Sequence, residues 1–284
     1  MKKIKIVVVG AGPAGMMAAI QAAAGGQEVT LLERNNTLGN KLLLSGKGRC
    51  NLTNTEDLQY FLKRFSNGDF LRDAFKKFFS PELTSFFEER GLKLKVERQM
   101  RVFPQSDRAS SILDVLKKEL EKLKVEIIYE CNVVDLLVAN GLARGVRLED
   151  GTDILAQRII LAGGGASYSF TGSDASLINI AKRFRHFSTP LRAGLVPLDI
   201  KQSYIKKLEG LTLRNISLKF TDGKMQIISE IGELIFTSTG ISGPLVISLS
   251  AKVGDLLGPG KKVYVDIDLK PALSIEQLDG RLLR

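Results

Sequence analysis

The stretch KIKIVVVGAGPAGMMAAIQAAAGGQEVTLLE, residues 3–33, decides the fold of this chain. Residues 3–9 are a β-branched run suited to a strand buried on both faces. Gly10, Gly12 and Gly15 follow as G-x-G-x-x-G, and residues 13–24 are rich in good helix formers. A second apolar run, 29–32, ends at Glu33. Strand, glycine turn, helix, strand and acid at this spacing predict a dinucleotide-binding unit. Gly10 permits a tight turn, and Gly12 lets the backbone approach a pyrophosphate. Gly15 lets the helix pack on the strand, while Pro13 and Ala14 open a helix whose N-terminus offers amides to the anion. Glu33 is placed to accept hydrogen bonds from ribose hydroxyls. A signal peptide is the competing reading, because Lys2, Lys3 and Lys5 precede apolar residues. Three glycines, a proline and an acid-tipped strand exclude it.

Working outward, 284 residues suffice for one large domain or two modest ones. With 44% hydrophobic and 25% charged residues the composition is that of a globular protein, and no apolar run is long enough to span a bilayer. The expected compartment is the cytoplasm. Cys50 and Cys131 form no C-x-x-C pair, which excludes the paired-cysteine chemistry of disulfide reductases; no metal site is expected. The net charge of +10 suits an anionic ligand or nucleic acid. No block of like charge and no aromatic–basic repeat accompanies it, so nucleic acid is not the expected partner.

Residues 38–54 are dense in Gly, Asn and small polar residues. They read either as a polar surface loop or as a wall along a cofactor. A Walker A loop fails, because Lys41 stands where its first glycine belongs and Gly48 where Ser or Thr is required. Residues 56–123 read as mainly helical, with Phe61, Phe65, Phe70, Phe75, Phe78, Phe79, Phe86 and Phe87 as packing residues. One helix is expected over 106–123, with Ile112, Leu116, Leu120 and Leu123 on one face. Strands are expected at 125–129, 133–138, 143–148 and 154–161, a meander that ends in Ala162, Gly163, Gly164 and Gly165. Such a glycine cluster admits a ligand close to the backbone. A helix is expected over 173–184, followed by His186, whose place at a helix end suits satisfaction of last-turn carbonyls. Beyond residue 190 the chain reads as strands at 195–200, 211–220, 225–231, 233–236, 245–249 and 262–269. Residues 237–244 read as a polar turn.

The fold class is therefore α/β: a Rossmann-like dinucleotide domain over 1–190 and a mainly antiparallel β domain over 191–284. The pattern G-x-G-x-x-G-x3-A-x6-G through Ala19 and Gly26, with the meander, favours FAD over NAD. Arg34 beside Glu33 suggests a 2′-phosphate contact, which the acid on the ribose opposes. The expected cofactor-binding residues from these motifs are Gly10, Gly12, Pro13, Gly15, Glu33, Arg34, Ala162, Gly163 and Gly164.

Several strings then carry a resemblance: GAGPAG (10–15), LLER (31–34), LGNK (38–41), SGKGRCNLTN (45–54), RVFP (101–104), TGS (171–173), LVPL (195–198), GELIFT (232–237) and GISGP (240–244). In this order they resemble the HI0933-like (BaiN/YhiN) flavoproteins. The resemblance implies a two-dinucleotide-binding-domain flavoprotein with FAD and an inserted β domain. It implies hydride passing from NADH or NADPH through FAD to an unsaturated or carbonyl small molecule, as in enone reduction. It places Ala14, Glu33, Asn40, Lys41, Gly46 and Val134 at FAD, and Ser45, Arg49 and Asn51, with Gly48 and Cys50 of the same loop, near the flavin end. Met100, Ser169, Ser176 and Arg185 depart from residues common in the family. The resemblance also implies further residues beyond Arg284 that close over the flavin, so the β domain is expected to be incomplete and FAD affinity weakened. Residues 274–284 read as the middle of a helix. No catalytic acid follows from the residues. A flavoprotein acting on tRNA, or a non-catalytic remnant of an FAD fold, are the alternatives.

Overall fold

Both units of the chain, Met1–Ser188 and Thr189–Arg284, are described in turn from a computed structural model that covers residues 4–65, 67–258 and 260–283. In the first, β1 (Lys5–Val9) runs into α1 (Pro13–Ala24) and then β2 (Glu28–Leu32). Next come α2 (Asn40–Leu44), β3 (Thr53–Asn54), α3 (Leu58–Leu62), α4 (Gly68–Lys77) and α5 (Ser80–Glu88). They are followed by β4 (Leu94–Glu97), β5 (Arg101–Pro104) and α6 (Ala109–Lys122). Five strands then precede the last helix: β6 (Glu126–Ile128), β7 (Val133–Ala139), β8 (Leu142–Leu148), β9 (Asp153–Leu155), β10 (Arg158–Leu161) and finally α7 (Ser176–Arg183).

A four-stranded parallel sheet in the order β10–β1–β2–β6 forms the centre. Strand β1 lies between two partners, so its β-branched residues are buried on both faces. Alternate residues face opposite cores: Ile6 and Val8 meet α1 and α6, through Met16, Ile20, Ile112, Leu116 and Leu120. Val7 and Val9 meet the meander and α7, through Val146, Leu148, Leu177 and Ile180. The expected face of α6 is thus observed, although the helix starts at Ala109 rather than 106.

The remaining differences have local causes. The meander holds three strands, β7–β8–β9, because the run 154–161 breaks at Ala156-Gln157, where the Gln157 side chain accepts the Lys5 amide at 2.7 Å. The first strand of that region, β6, belongs to the parallel sheet. The region 56–123, expected as mainly helical, also supplies β4 and β5, which join β3 in a small antiparallel sheet, β3–β5–β4. Of its phenylalanines, Phe61, Phe65, Phe75 and Phe79 pack ring to ring at 5.1–5.7 Å, and Phe86 and Phe87 are core. Phe70 is 86% exposed and is not a packing residue. Helix α7 starts at Ser176, and its last-turn carbonyls are met by the backbone amides of Phe184, Arg185 and His186.

The second unit contains β11 (Leu198–Asp199), β12 (Thr212–Thr221), β13 (Gln226–Ile228), β14 (Gly232–Phe236) and β15 (Gly240–Ser242). After these come α8 (Pro244–Leu256), β16 (Tyr264–Asp268) and α9 (Ile275–Leu282). The antiparallel order is β11–β15–β14–β12–β13, with β16 beside β12. Residues 245–249, expected as a strand, are the start of α8. Pro244 occupies the first helical turn, and Leu245, Val246, Val253 and Leu256 give one buried face over its length. Residues 274–284, expected as mid-helix, instead begin one: Ser274 caps α9 in a capping box with Gln277. Among the described residues no helix is long and apolar enough to cross a membrane.

Candidate functional site

The carboxyl ends of β1, β2, β6 and β10 open on a cleft of about 220 Å3. Ligands of open parallel sheets bind at this end. The β1–α1 turn forms its floor. Gly10 stands at φ +98°, and a Cβ there would lie 2.7 Å from the Ala162 carbonyl oxygen. A Cβ on Gly15 would lie 1.8 Å from the Gly10 oxygen, so helix and strand touch backbone to backbone. A Cβ on Gly12 would meet nothing within 4 Å; that face is open. Helix α1 has no side-chain cap and no acid in its first turn. Its first amides and its dipole are therefore available to an anion.

Glu33 closes the far end of the turn. It is 7% exposed, and both its oxygens are engaged. Oε2 accepts the Ala11 amide at 2.9 Å, and Oε1 accepts the Asn35 amide at 2.9 Å and Asn35 Nδ2 at 2.7 Å. Lys41 also lines the cleft and pairs with no carboxylate among the described residues. Residues 171–174 form a strap across this end. Asn35 Nδ2 donates to the Thr171 carbonyl, and Arg34 donates to the Gly172 carbonyl and to Asp174 at 2.7 Å. Gly172 stands at φ +90°, a conformation that favours glycine, and a Cβ there would sit 2.8 Å from Asn35 Nδ2. The Asp174 carboxyl is held well below the usual carboxylate range, first by Ser176 and then by Arg34. A carboxyl depressed in the folded state stabilises above its unfolded value of about 3.9 and loses that contribution as pH falls. Thermal melts are thus expected to drop below about pH 4, and less steeply in Asp174→Asn; parallel profiles would refute this.

Beyond α2 the chain turns through residues 45–54. Arg49 is bracketed by Glu97 and by Asp107, whose Oδ1 is 2.8 Å from Nε, and its guanidinium lies 4.3 Å over the Phe103 ring. Hydrogen bonds to both carboxylates push its pKa up, so it stays charged. Cys50 and Cys131 are both buried, and burial pushes both thiols up. Both are expected to resist a thiol reagent in the folded chain and react on unfolding. Rapid labelling of Cys50 in the native state would contradict this.

Of the residues expected from sequence, Gly10, Gly12, Pro13, Ala14, Glu33, Arg34, Asn40, Lys41, Ala162, Gly163 and Gly164 line one cleft. Gly15 lies behind its wall. Ser45, Gly46, Gly48, Arg49, Cys50 and Asn51 lie outside that lining, on the loop that continues from α2. Val134 is also outside it; its carbonyl accepts from Arg183, and Val133 faces the cleft instead. Asn35, Cys131, Asn132, Thr171, Gly172, Ser173 and Ser176 line the cleft without having been expected as cofactor-binding residues. The signal for Cys131, Asn132 and Val133 was available: they follow a parallel strand at its carboxyl end.

This geometry has relatives. The HI0933-like protein Rossmann domain matches residues 4–242. A 3-dehydro-bile acid delta(4,6)-reductase of Clostridium scindens is 34% identical over 277 residues, covering 96% of this chain and 66% of that protein. Ribosomal RNA dihydrouridine synthases of Haemophilus influenzae and Escherichia coli are each 29% identical, covering 95% and 97% of this chain and 65% and 66% of theirs. The chain thus spans 65–66% of the length of these relatives. A 3-ketosteroid-delta4-(5alpha)-dehydrogenase from Rhodococcus jostii superposes with a TM-score of 0.50 at 17% identity, over 65% of this chain and 55% of that one, and shares the fold. With the family match running from the glycine turn into the β domain, the chain belongs to the HI0933-like family.

Proposed function

We propose that the cleft of the first unit holds FAD and that the chain serves the reduction of a carbon–carbon double bond conjugated to a carbonyl, with NADH or NADPH as reductant. One observation carries the reading: an open glycine turn, an uncapped helix N-terminus, a buried acid and a lysine without a carboxylate partner among the described residues converge on one cleft. The amides of the first α1 turn and Lys41 suit a pyrophosphate, and the lone pair left on Glu33 Oε2 suits a ribose hydroxyl. FAD, when bound, supplies the two-electron carrier between reductant and substrate. In this reading residues 1–190 bind the cofactor and residues 191–284 serve the substrate.

The names of the relatives support the substrate class. A 3-oxo steroid unsaturated at positions 4 and 6 and a uracil ring share one feature, an alkene conjugated to a carbonyl. Such a substrate takes hydride at its β-carbon and a proton at its α-carbon. A small molecule is the first reading, since the reductase has the higher identity. Ribosomal RNA is the second, favoured by the two synthases and by the net charge of +10.

The purified chain is expected to take up FAD and turn yellow, and to be bleached by NADH or NADPH. Reoxidation by a steroid 4,6-dien-3-one supports the first reading. Reoxidation by an rRNA fragment alone, with loss of uridine, supports the second. A chain that takes up no FAD overturns both.

A further inference from the structure

The loop after α2 is held in an unusual backbone. Gly46, Lys47, Gly48 and Cys50 all lie in the left-handed region, with φ of 56°, 58°, 83° and 59°. Lys47 and Cys50 carry side chains that rarely adopt it. Such strain persists only where the surroundings over-determine it. Arg49 sits between these residues, and every group that holds its side chain comes from elsewhere in the chain. Glu97 ends β4, Phe103 lies on β5, and Asp107 precedes α6. Lys95 pairs with the same two carboxylates, at 2.5 Å to Asp107 and 3.4 Å to Glu97. Two cations and two carboxylates make the cluster neutral, so Arg49 is locally compensated and brings little net field to a neighbouring group.

We infer that Arg49 anchors this loop mechanically, and that Glu97 and Asp107 are positioning residues that hold the loop, through Arg49, in its cofactor-receiving shape. The inference rests on the proposal that FAD occupies the cleft lined by Asn40 and Lys41 of α2, from which this loop continues. It assigns Arg49 a role other than charge stabilisation of a reduced cofactor.

The test uses the full chain carrying Glu97→Gln, Asp107→Asn and both together. In FAD-free protein, amide exchange at residues 46–51 is expected to quicken while the melting temperature stays near that of the parent. With FAD, the double variant is expected to release the cofactor about tenfold faster. The visible circular dichroism of the bound flavin changes, and its midpoint potential does not. Glu97→Asp combined with Asp107→Glu restores slow release. Unchanged exchange at 46–51 overturns the anchor, as does exchange that quickens only in step with global unfolding. A raised potential with unchanged release also overturns it and marks Arg49 as an electrostatic group. A parent chain that takes up no FAD defeats the cofactor reading alone, because the exchange experiment still decides the anchor.

Discussion

Gly15→Ala is expected to cost both folding and FAD, whereas Gly12→Ala costs FAD alone. At Gly15 the added carbon falls 1.8 Å from the Gly10 carbonyl oxygen and 3.2 Å from the Ala162 Cβ. The first obstacle is backbone on the central strand's own turn, and it cannot rotate away. Overpacking of a core typically costs about 1–3 kcal/mol, and a backbone obstacle belongs at or above the upper end. At Gly12 the added carbon meets nothing within 4 Å, so the FAD-free melting temperature should match the parent. The same carbon projects into the cleft where a pyrophosphate must approach. A loss of affinity of about tenfold or more is expected. Thermal melting of FAD-free protein together with FAD titration separates the two effects. A Gly12→Ala chain with parental affinity would move the phosphate away from this turn.

Glu33→Leu is the second large effect. The carboxylate accepts three N–H groups, from the Ala11 backbone and from the backbone and side chain of Asn35. Leucine leaves all three unpaired in a buried site. Each unsatisfied donor costs about 1–3 kcal/mol, less where the cleft admits water. A drop of several kcal/mol follows, and for a unit of this size each kcal/mol lowers the melting temperature by about 2–4 °C. Glu33→Gln keeps the size and one acceptor oxygen, so its loss of stability should be smaller. Both variants should bind FAD at least tenfold more weakly, since the ribose loses a charged carboxylate acceptor. A Glu33→Leu chain that melts with the parent would show that Glu33 does not hold the turn.

These two sites were readable from sequence because their chemistry is local. Gly10, Gly12, Gly15 and Glu33 lie within one strand–helix–strand unit, and the spacing alone sets their geometry. Helix α8 was misread because the apolar run 245–249 was cut before its period showed, and short apolar runs suit strand and helix alike. Gly243 and Pro244 in front of it carried the better signal. The Arg49 cluster had no local signature. Residues 49, 95, 97, 103 and 107 meet only because β3–β5–β4 folds back within a region that reads as helical. The strap over Arg34 and Asn35 is similar, since Asp174 reaches Arg34 across 140 positions.

The placement of β10 beside β1 also has a consequence for synthesis. Ile6 pairs in register with Arg158, 152 residues later. At about 5–20 residues per second, one edge of the nascent β1 waits roughly 8–30 s for its partner to leave the ribosome. Until then Gly10 lacks the Ala162 backbone against which it packs. The dinucleotide cleft is therefore among the last parts of the first unit to be completed, although its signature is the first to be translated. During that interval a bare, β-branched strand edge is open to mispairing or to chaperones.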